Sequence, residues 1–301
     1  GSLVSRVLMS FTYGAAGPVG AHPVGRAPAS AGDDVELRRV GAVAGGVTLQ
    51  QALADLDTAT GPVVIEIADS RVHPVDLAAL AGTGVDGGVA LRLAQALTIR
   101  AASGQRPIVL LAQPLGFRPV LAVAATTVSP AVRLEGLYLA PDQAGAFPPG
   151  AALINRAALA RLEVIGCTLA PGGHTRRDGS RAERVTAMHL ANGYGFALED
   201  DELAFLPTPD IIVQRSITGS LAIDDRYRLD LSDSIIDASP RAEDAPGTVF
   251  AIAAATDPET AWGAPLAFDG LTCFGAVRVA AVGGLGGVFN RRCEVLDNQP
   301  G

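Results

Sequence analysis

One phrase of eight residues recurs along this chain and narrows its possible folds more than any other feature. Val132-Arg133-Leu134-Glu135-Gly136-Leu137-Tyr138-Leu139 alternates apolar and variable positions on both sides of a turn residue. Residues 162–169 and 266–273 repeat it, and 211–218 and 229–236 are weaker copies. Period-two alternation interrupted by a single turn residue describes two short strands meeting at a tight corner. The turn residues fall at 136, 166, 215, 233 and 270. If the two widest gaps each span two units, the repeat averages about 22 residues, the range of architectures whose units bury apolar surface only against their neighbours. Gly and Asp at the corners suit a left-handed backbone. A leucine-rich repeat would show Asn at a fixed position and a helical return, and neither is present. The expectation is an all-β fold, a parallel β-helix of about eight or nine coils spaced ~4.8 Å, a rod on the order of 40 Å long.

The remaining elements fit around that rod. Thr48 followed by Gln51 forms a capping box, and Leu49, Ala52, Leu53 and Leu56 share one helical face. A short helix over 48–57 is expected there, placed to cover the open end of the first coil and its unpaired strand edges. Pro62–Ile67 is β-branched and reads as a strand. Segments 76–82 and 90–96 are candidate short helices, and 3–13 a candidate strand. Residues 14–34 are small and without periodicity, so 1–34 reads as a flexible arm or linker and 35–301 as a single β-helix domain. Gly1-Ser2 in place of an initiator Met reads as a cloning remnant, which leaves the native N-terminus and the compartment open.

Composition closes off several functions. The chain is 49% hydrophobic and 18% charged, enough apolar surface for a large core. Its 23 basic residues are all Arg, and its net charge is −8. That balance opposes general nucleic-acid binding, and the lack of Lys removes Schiff-base and P-loop chemistry. No apolar run is long enough to span a bilayer as a helix. Cys167 and Cys273 lie in apolar runs and read as buried and inert; with Cys293 they form no disulfide framework or zinc spacing. The four histidines show no paired spacing, and no Ser sits in a nucleophile elbow. The tract 282–287 lacks a strand-to-helix context and reads as a tight corner of the last coils. No cofactor and no metal is implied.

Taken together, the segment VTLQQALADLDTATGPVVIEI, the phrase LTIRAASGQRPIVLL (97–111) and the strand–corner–strand copies resemble the right-handed parallel β-helix group, the pectate-lyase-like superfamily, over about 48–297. The stretch RSITGSLAIDDRYRLDLSDSIIDAS (215–239) is more loosely similar to uncharacterised bacterial β-helix proteins associated with phage-tail-like contractile particles. The superfamily resemblance implies possible action on acidic polysaccharides, but its catalytic patterns do not transfer. Gly172-Gly173-His174-Thr175 is not a Gly-His-Gly motif, and a motif requiring Lys cannot be met. The outward column beside the corner reads Arg133, Glu163, Ile212, Asp230 and Ala267, not the acidic trio that holds calcium. Arg133 and Glu163 should instead pair across the stack.

Three polar segments remain as candidates. The excursion 171–184 carries His174, Arg176, Arg177, Arg181 and Arg184, a set able to clasp a carboxylate or sulfate on a glycan, or simply to solvate the loop. The run Glu199–Glu202 could hold a cation, pair with that loop, or be solvated. Asp224, Asp225, Asp230 and Asp233 form the densest acid cluster and could divide acid and base roles in glycoside hydrolysis, although Asp233 and Asp237 also suit corners. The leading expectation is a non-catalytic structural or binding module, part of a phage-tail-like or cell-surface assembly, whose partners are proteins of that assembly or a polysaccharide. The alternative is a lyase or glycoside hydrolase acting on an acidic glycan. Self-association is compatible with either, favoured if an apolar C-terminal coil near 283–296 is left uncovered.

Overall fold

The computed structural model describes residues 18–29, 34–80, 82–85, 88–120, 130–142, 147–195, 209–245 and 247–289. Within them the chain winds into a parallel β-solenoid with three faces. A 15-stranded sheet supplies two faces and a 7-stranded sheet the third. The first face stacks Glu36–Val40, Val63–Ile67, Leu97–Ala101, Ala131–Glu135, Arg161–Ile165, Asp210–Gln214, Arg228–Ser232 and the first half of Leu266–Phe274. The second face runs from Val72–Val75 through Ile108–Leu111, Tyr138–Pro141, Thr168–Leu169, Ile217–Thr218 and Ile235–Asp237 to the second half of Leu266–Phe274. Among the described strands only Gly84–Val85 and Gly88–Val89 pair antiparallel.

The register follows the phrase residue for residue. Leu134 pairs with Val164, Val164 with Val213, Val213 with Leu231 and Leu231 with Phe268. Its alternate residues Val132, Leu134, Leu162, Val164, Ile211, Val213 and Leu231 are all fully buried in one continuous aliphatic column. Each such side chain removed from water contributes roughly 1.5–3 kcal/mol. The corners take the conformation their residues suggested: Gly136, Gly166, Arg215, Asp233 and Gly270 have φ of 73°, 57°, 49°, 47° and 64°.

The corner interrupts the backbone ladder, and a buried polar stack repairs it. The Cys167 amide donates to Ser216 Oγ at 3.1 Å, and the Ser216 amide donates to Ser234 Oγ at 3.1 Å. The Leu137 amide reaches Cys167 Sγ at 3.4 Å. Cys167, Ser216 and Ser234, each just inside a corner, thus accept from the counterpart one coil earlier, which keeps the buried N–H groups of Leu137, Cys167 and Ser216 paired.

Several expectations need correction. The gaps 166–215 and 233–270 each span one coil, since Arg161–Ile165 pairs directly with Asp210–Gln214 and Arg228–Ser232 with Leu266–Phe274. Where described, the extra residues lie outside the stacked strands, as 171–185 does, so the repeat has no constant length. The helix expected over 48–57 is confined to Leu49–Ala52, with its Thr48–Gln51 capping box formed. Segment 76–82 holds a 3-10 turn, Leu77–Ala79, and 90–96 holds a strand, Leu91–Leu93. The glycine tract is part of a strand, Val282–Phe289, rather than a corner. The candidate strand 3–13 and Cys293 lie outside the described residues. Residues 18–29, within the expected loose arm, lie along the column of corners and are bonded to it. Cys167 and Cys273 are buried free thiols.

Two outcomes follow from the corners and the stack beneath them. Gly166→Ala should cost about 1–2 kcal/mol through backbone strain alone, because no atom closer than 4.0 Å opposes its Cβ. Arg215→Gly, at an exposed corner, should be neutral or stabilising by up to about 1 kcal/mol. Urea midpoints at constant m test both, and equal losses would refute a left-handed corner column. Burial pushes the Cys167 thiol up from 9.0 to about 12, so it should resist alkylating reagents at pH 8 until the chain unfolds. Because the folded thiol holds its proton more tightly than the unfolded one, this contribution to stability is complete below pH 9 and is lost between pH 9 and about 12.

Candidate functional site

The polar excursion 171–185 is an ordered finger. Gly172 bridges Arg184 and Thr175 bridges Arg181 in antiparallel fashion. Backbone bonds from Gly173 to Glu183 O (2.9 Å), Ala182 to His174 O (2.9 Å) and Val185 to Pro171 O (2.8 Å) complete the ladder. Asp178 forms the tip, accepting from the Ser180 amide at 2.9 Å and the Ser180 hydroxyl at 2.7 Å. The finger is folded down onto the coil two turns later. A Cβ at Gly173 would meet the Ser239 side chain at 2.3 Å, so only glycine fits there. Arg184 Nε donates to Ser239 O at 3.1 Å, and its Nη2 forms an ion pair with Asp244. The Arg241 amide, against opposing desolvation and with help from Arg184, holds the Asp244 carboxyl below its ordinary 3.8.

Between this finger, the segment 147–151 and the outer surface of the second face lies a groove of about 1000 Å³. Tyr138, Ala140, Asp237 and Phe274 line it from the strands of that face. Pro148, Pro149, Pro171 and Pro240 stand along its walls, and their fixed φ leaves little conformational freedom to lose on binding. Of the candidate binding residues, His174, Arg176, Arg181 and Arg184 line the groove, while Arg177 is exposed at the fingertip outside it. Arg184 is committed to Ser239 and Asp244, and one Arg181 nitrogen to Gly173 O at 3.1 Å. His174 and Arg176 are exposed at its edge. With Asp142, Glu183 and Asp237 also present, the lining carries both signs of charge beside aromatic surface.

The four candidate catalytic carboxylates are not brought together. Asp224, buried, accepts from the Asn192 amide (2.8 Å), the Thr256 amide (2.8 Å) and the Thr256 hydroxyl (2.9 Å). It pins the return from one coil to excursions of two others. Asp225, beside it, is exposed and accepts from Asn192 Nδ2 at 2.9 Å. Asp230 projects from the first face, where it lines a separate groove of about 610 Å³ with Arg161, Asp210 and Arg228. Asp233 occupies a left-handed corner, its amide bonded to Asp269 O at 2.8 Å. The column beside it pairs as anticipated, Arg133 lying 3.3 Å from Glu163. The acidic run Glu199–Glu202 lies outside the described residues.

Sequence reasoning overlooked Tyr138, Asp142, Phe147, Asp237 and Phe274 as groove residues. Tyr138 is an outward position of the phrase, and Asp237 pairs in register with Phe274. Alternation alone could have named them as outward. Which coils carry the walls was not readable. Trp262 is packed beneath Arg278, 4.9 Å from guanidinium to ring centroid, and is not free to stack on a ligand by that face. No metal-holding group of three or more His, Cys, Asp or Glu residues occurs among the described residues. No helix of the described residues is long and apolar enough to cross a membrane.

No protein-family model, curated protein or solved structure matches the chain.

The finger's hold on the groove predicts a pH response. A depressed carboxyl stabilises above its ordinary value, and that stabilisation is lost as pH falls through 3.8 and below. Asp244→Asn should therefore speed amide exchange at Gly173, Ala182 and Val185 at neutral pH, and acid should reproduce the effect in the unmodified chain. Unchanged exchange in the variant would show that the finger stands without its ion pair.

Proposed function

We propose that this chain is a non-catalytic structural and binding module of the right-handed parallel β-helix type, with the Leu49–Ala52 turn covering its first coil. The groove of the second face is its binding surface. The observation that carries this reading is the finger: four of five candidate basic residues line one preshaped groove, whereas the candidate catalytic carboxylates are dispersed. A groove of this size falls in the range of ligand sites. Tyr138 and Phe274 offer ring faces to a sugar, and Arg176 and the free nitrogens of Arg181 offer charged donors to a carboxylate or sulfate. The ligand that fits is an anionic glycan, presented to or by an assembly of phage-tail-like or cell-surface kind. Binding of acidic oligosaccharides, followed by calorimetry, should weaken at least about tenfold in Arg176→Ala and in Arg181→Ala, the loss of one charge-assisted hydrogen bond. Equal affinity for neutral and acidic sugars, or none for either, would sink the reading.

A catalytic reading rests on Asp230 alone, because that carboxylate shares a groove with Arg161, Asp210 and Arg228. Screening acidic and neutral polysaccharides with and without calcium separates the two. Robust turnover abolished by Asp230→Asn would replace the binding module with an enzyme.

A further inference from the structure

Residues 18–29 cross the strands along the solenoid axis and touch five successive coils. Starting from the first, the Ala29 amide donates to Glu66 Oε2 at 3.1 Å, and Ala27 O accepts from Arg100 Nη2 at 2.7 Å. The Gly104 amide donates to Val24 O at 2.9 Å, and the Arg26 amide to Ser103 Oγ at 3.2 Å. Arg26 then drops its side chain, 7% exposed, over the corner at Gly136 to reach Glu135 Oε1 at 3.2 Å. A Cβ at Gly136 would lie 2.1 Å from that guanidinium, so the corner glycine makes room for it. Further along, the Ala21 amide donates to Thr168 Oγ1 at 2.9 Å and the Gly20 amide to Arg215 O at 2.8 Å.

The segment holds no strand pairing of its own. One short contact lies within it, between His22 Nε2 and Val19 O. It buries little apolar surface; Ala21 is its fully covered hydrophobe. The coils beneath owe their cohesion to the aliphatic column and the ladder bonds, neither of which includes the segment. Such an element should open locally at far lower free energy than the core.

We propose that residues 18–29 form a releasable strap, latched by Arg26 on Glu135, which detaches while the solenoid stays folded. Its far end covers Thr168 and Ile217, and Thr168 pairs in register with Tyr138 on the floor of the groove. Release lengthens the open strip of the second face from Tyr138 to Ile217. That consequence for ligands rests on the groove being a binding surface; the latch itself does not, and it is tested without any ligand.

Hydrogen exchange of the full chain reads it directly. Arg26→Ala should raise exchange across residues 18–29 at least tenfold, while the amides of Leu134, Val164 and Val213 keep their protection. Should Arg26→Ala fail to fold, Arg26→Gln, which keeps the length and removes the charge, is read by the same criterion. Exchange that rises in strap and core together would make the segment an integral part of the fold and overturn the latch. An unchanged strap would overturn Arg26 as its key, and a strap already unprotected in the parent chain would overturn its docking.

Discussion

The left-handed corner between the first and second faces is the constraint on which the rest of the structure depends. A one-residue turn fixes the phase of the strands on either side of it, so a coil that enters with an apolar residue inward leaves with one inward as well. Repeated at 136, 166, 215, 233 and 270, the corner aligns Leu134, Val164, Val213 and Leu231 in one column and Leu139, Leu169, Thr218 and Ile236 in another. It has a cost, since the turn takes amides out of the regular ladder. At three of the five corners the stack of Cys167, Ser216 and Ser234 meets that cost, a small polar or thiol side chain there accepting the amide displaced one coil earlier. Corner and stack are one device: the first sets the register and the second keeps it free of buried unpaired amides.

Tightness at this corner leaves length variation to the other connections. Between Leu169 and Met188, between Asp237 and Phe250 and between Ala253 and Leu266 the chain runs outside the stacked strands, and each time it rejoins them in register. Loops at these places can be long at small entropic cost, because closure depends only weakly on length. The groove arises where two of them meet: the finger after Leu169 rests on the excursion after Asp237 through Gly173, Arg184 and Asp244. Its floor is ordinary solenoid surface. Its walls, and therefore its chemistry, are carried by segments that the stacking does not constrain.

That division explains what could be read in advance. The phrase carries phase information, and so the inward column, the corner residues and the Arg133–Glu163 pair were legible from alternation alone. Coil number between copies was not legible, because an excursion and an omitted coil add residues in the same way; 166–215 is the instructive case. The finger was visible as a polar interruption between apolar strands, but its antiparallel ladder depends on backbone bonds that Gly172 and Gly173 permit without announcing. The strap left least trace. Its small residues and prolines lack periodicity whether a segment is free or laid across five coils, and only Arg26 hints at a partner. The acid cluster misled for a related reason: Asp224, Asp230 and Asp233 are close in sequence, yet alternation and the coil path send them to a pin, a face and a corner.

The first coil shows how an open solenoid end can be kept from adding further strands. Val72–Val75 is a terminal strand of its sheet. Its carbonyls at Arg71 and Val75 turn toward Ile108 and Ala112, so the groups at 72, 74 and 76 face the open side. Position 74 is Pro, which has no N–H to offer, and Asp76 is taken up twice by the Gln50 side chain, at 2.7 Å and 2.8 Å. On the adjoining face Arg38 turns back to Ala52 O and Ala54 O, and Glu36 and Arg39 put charge on the edge strand. Proline, a side-chain clip and charge together blunt both edges. Self-association through this end is thereby opposed on the described surface.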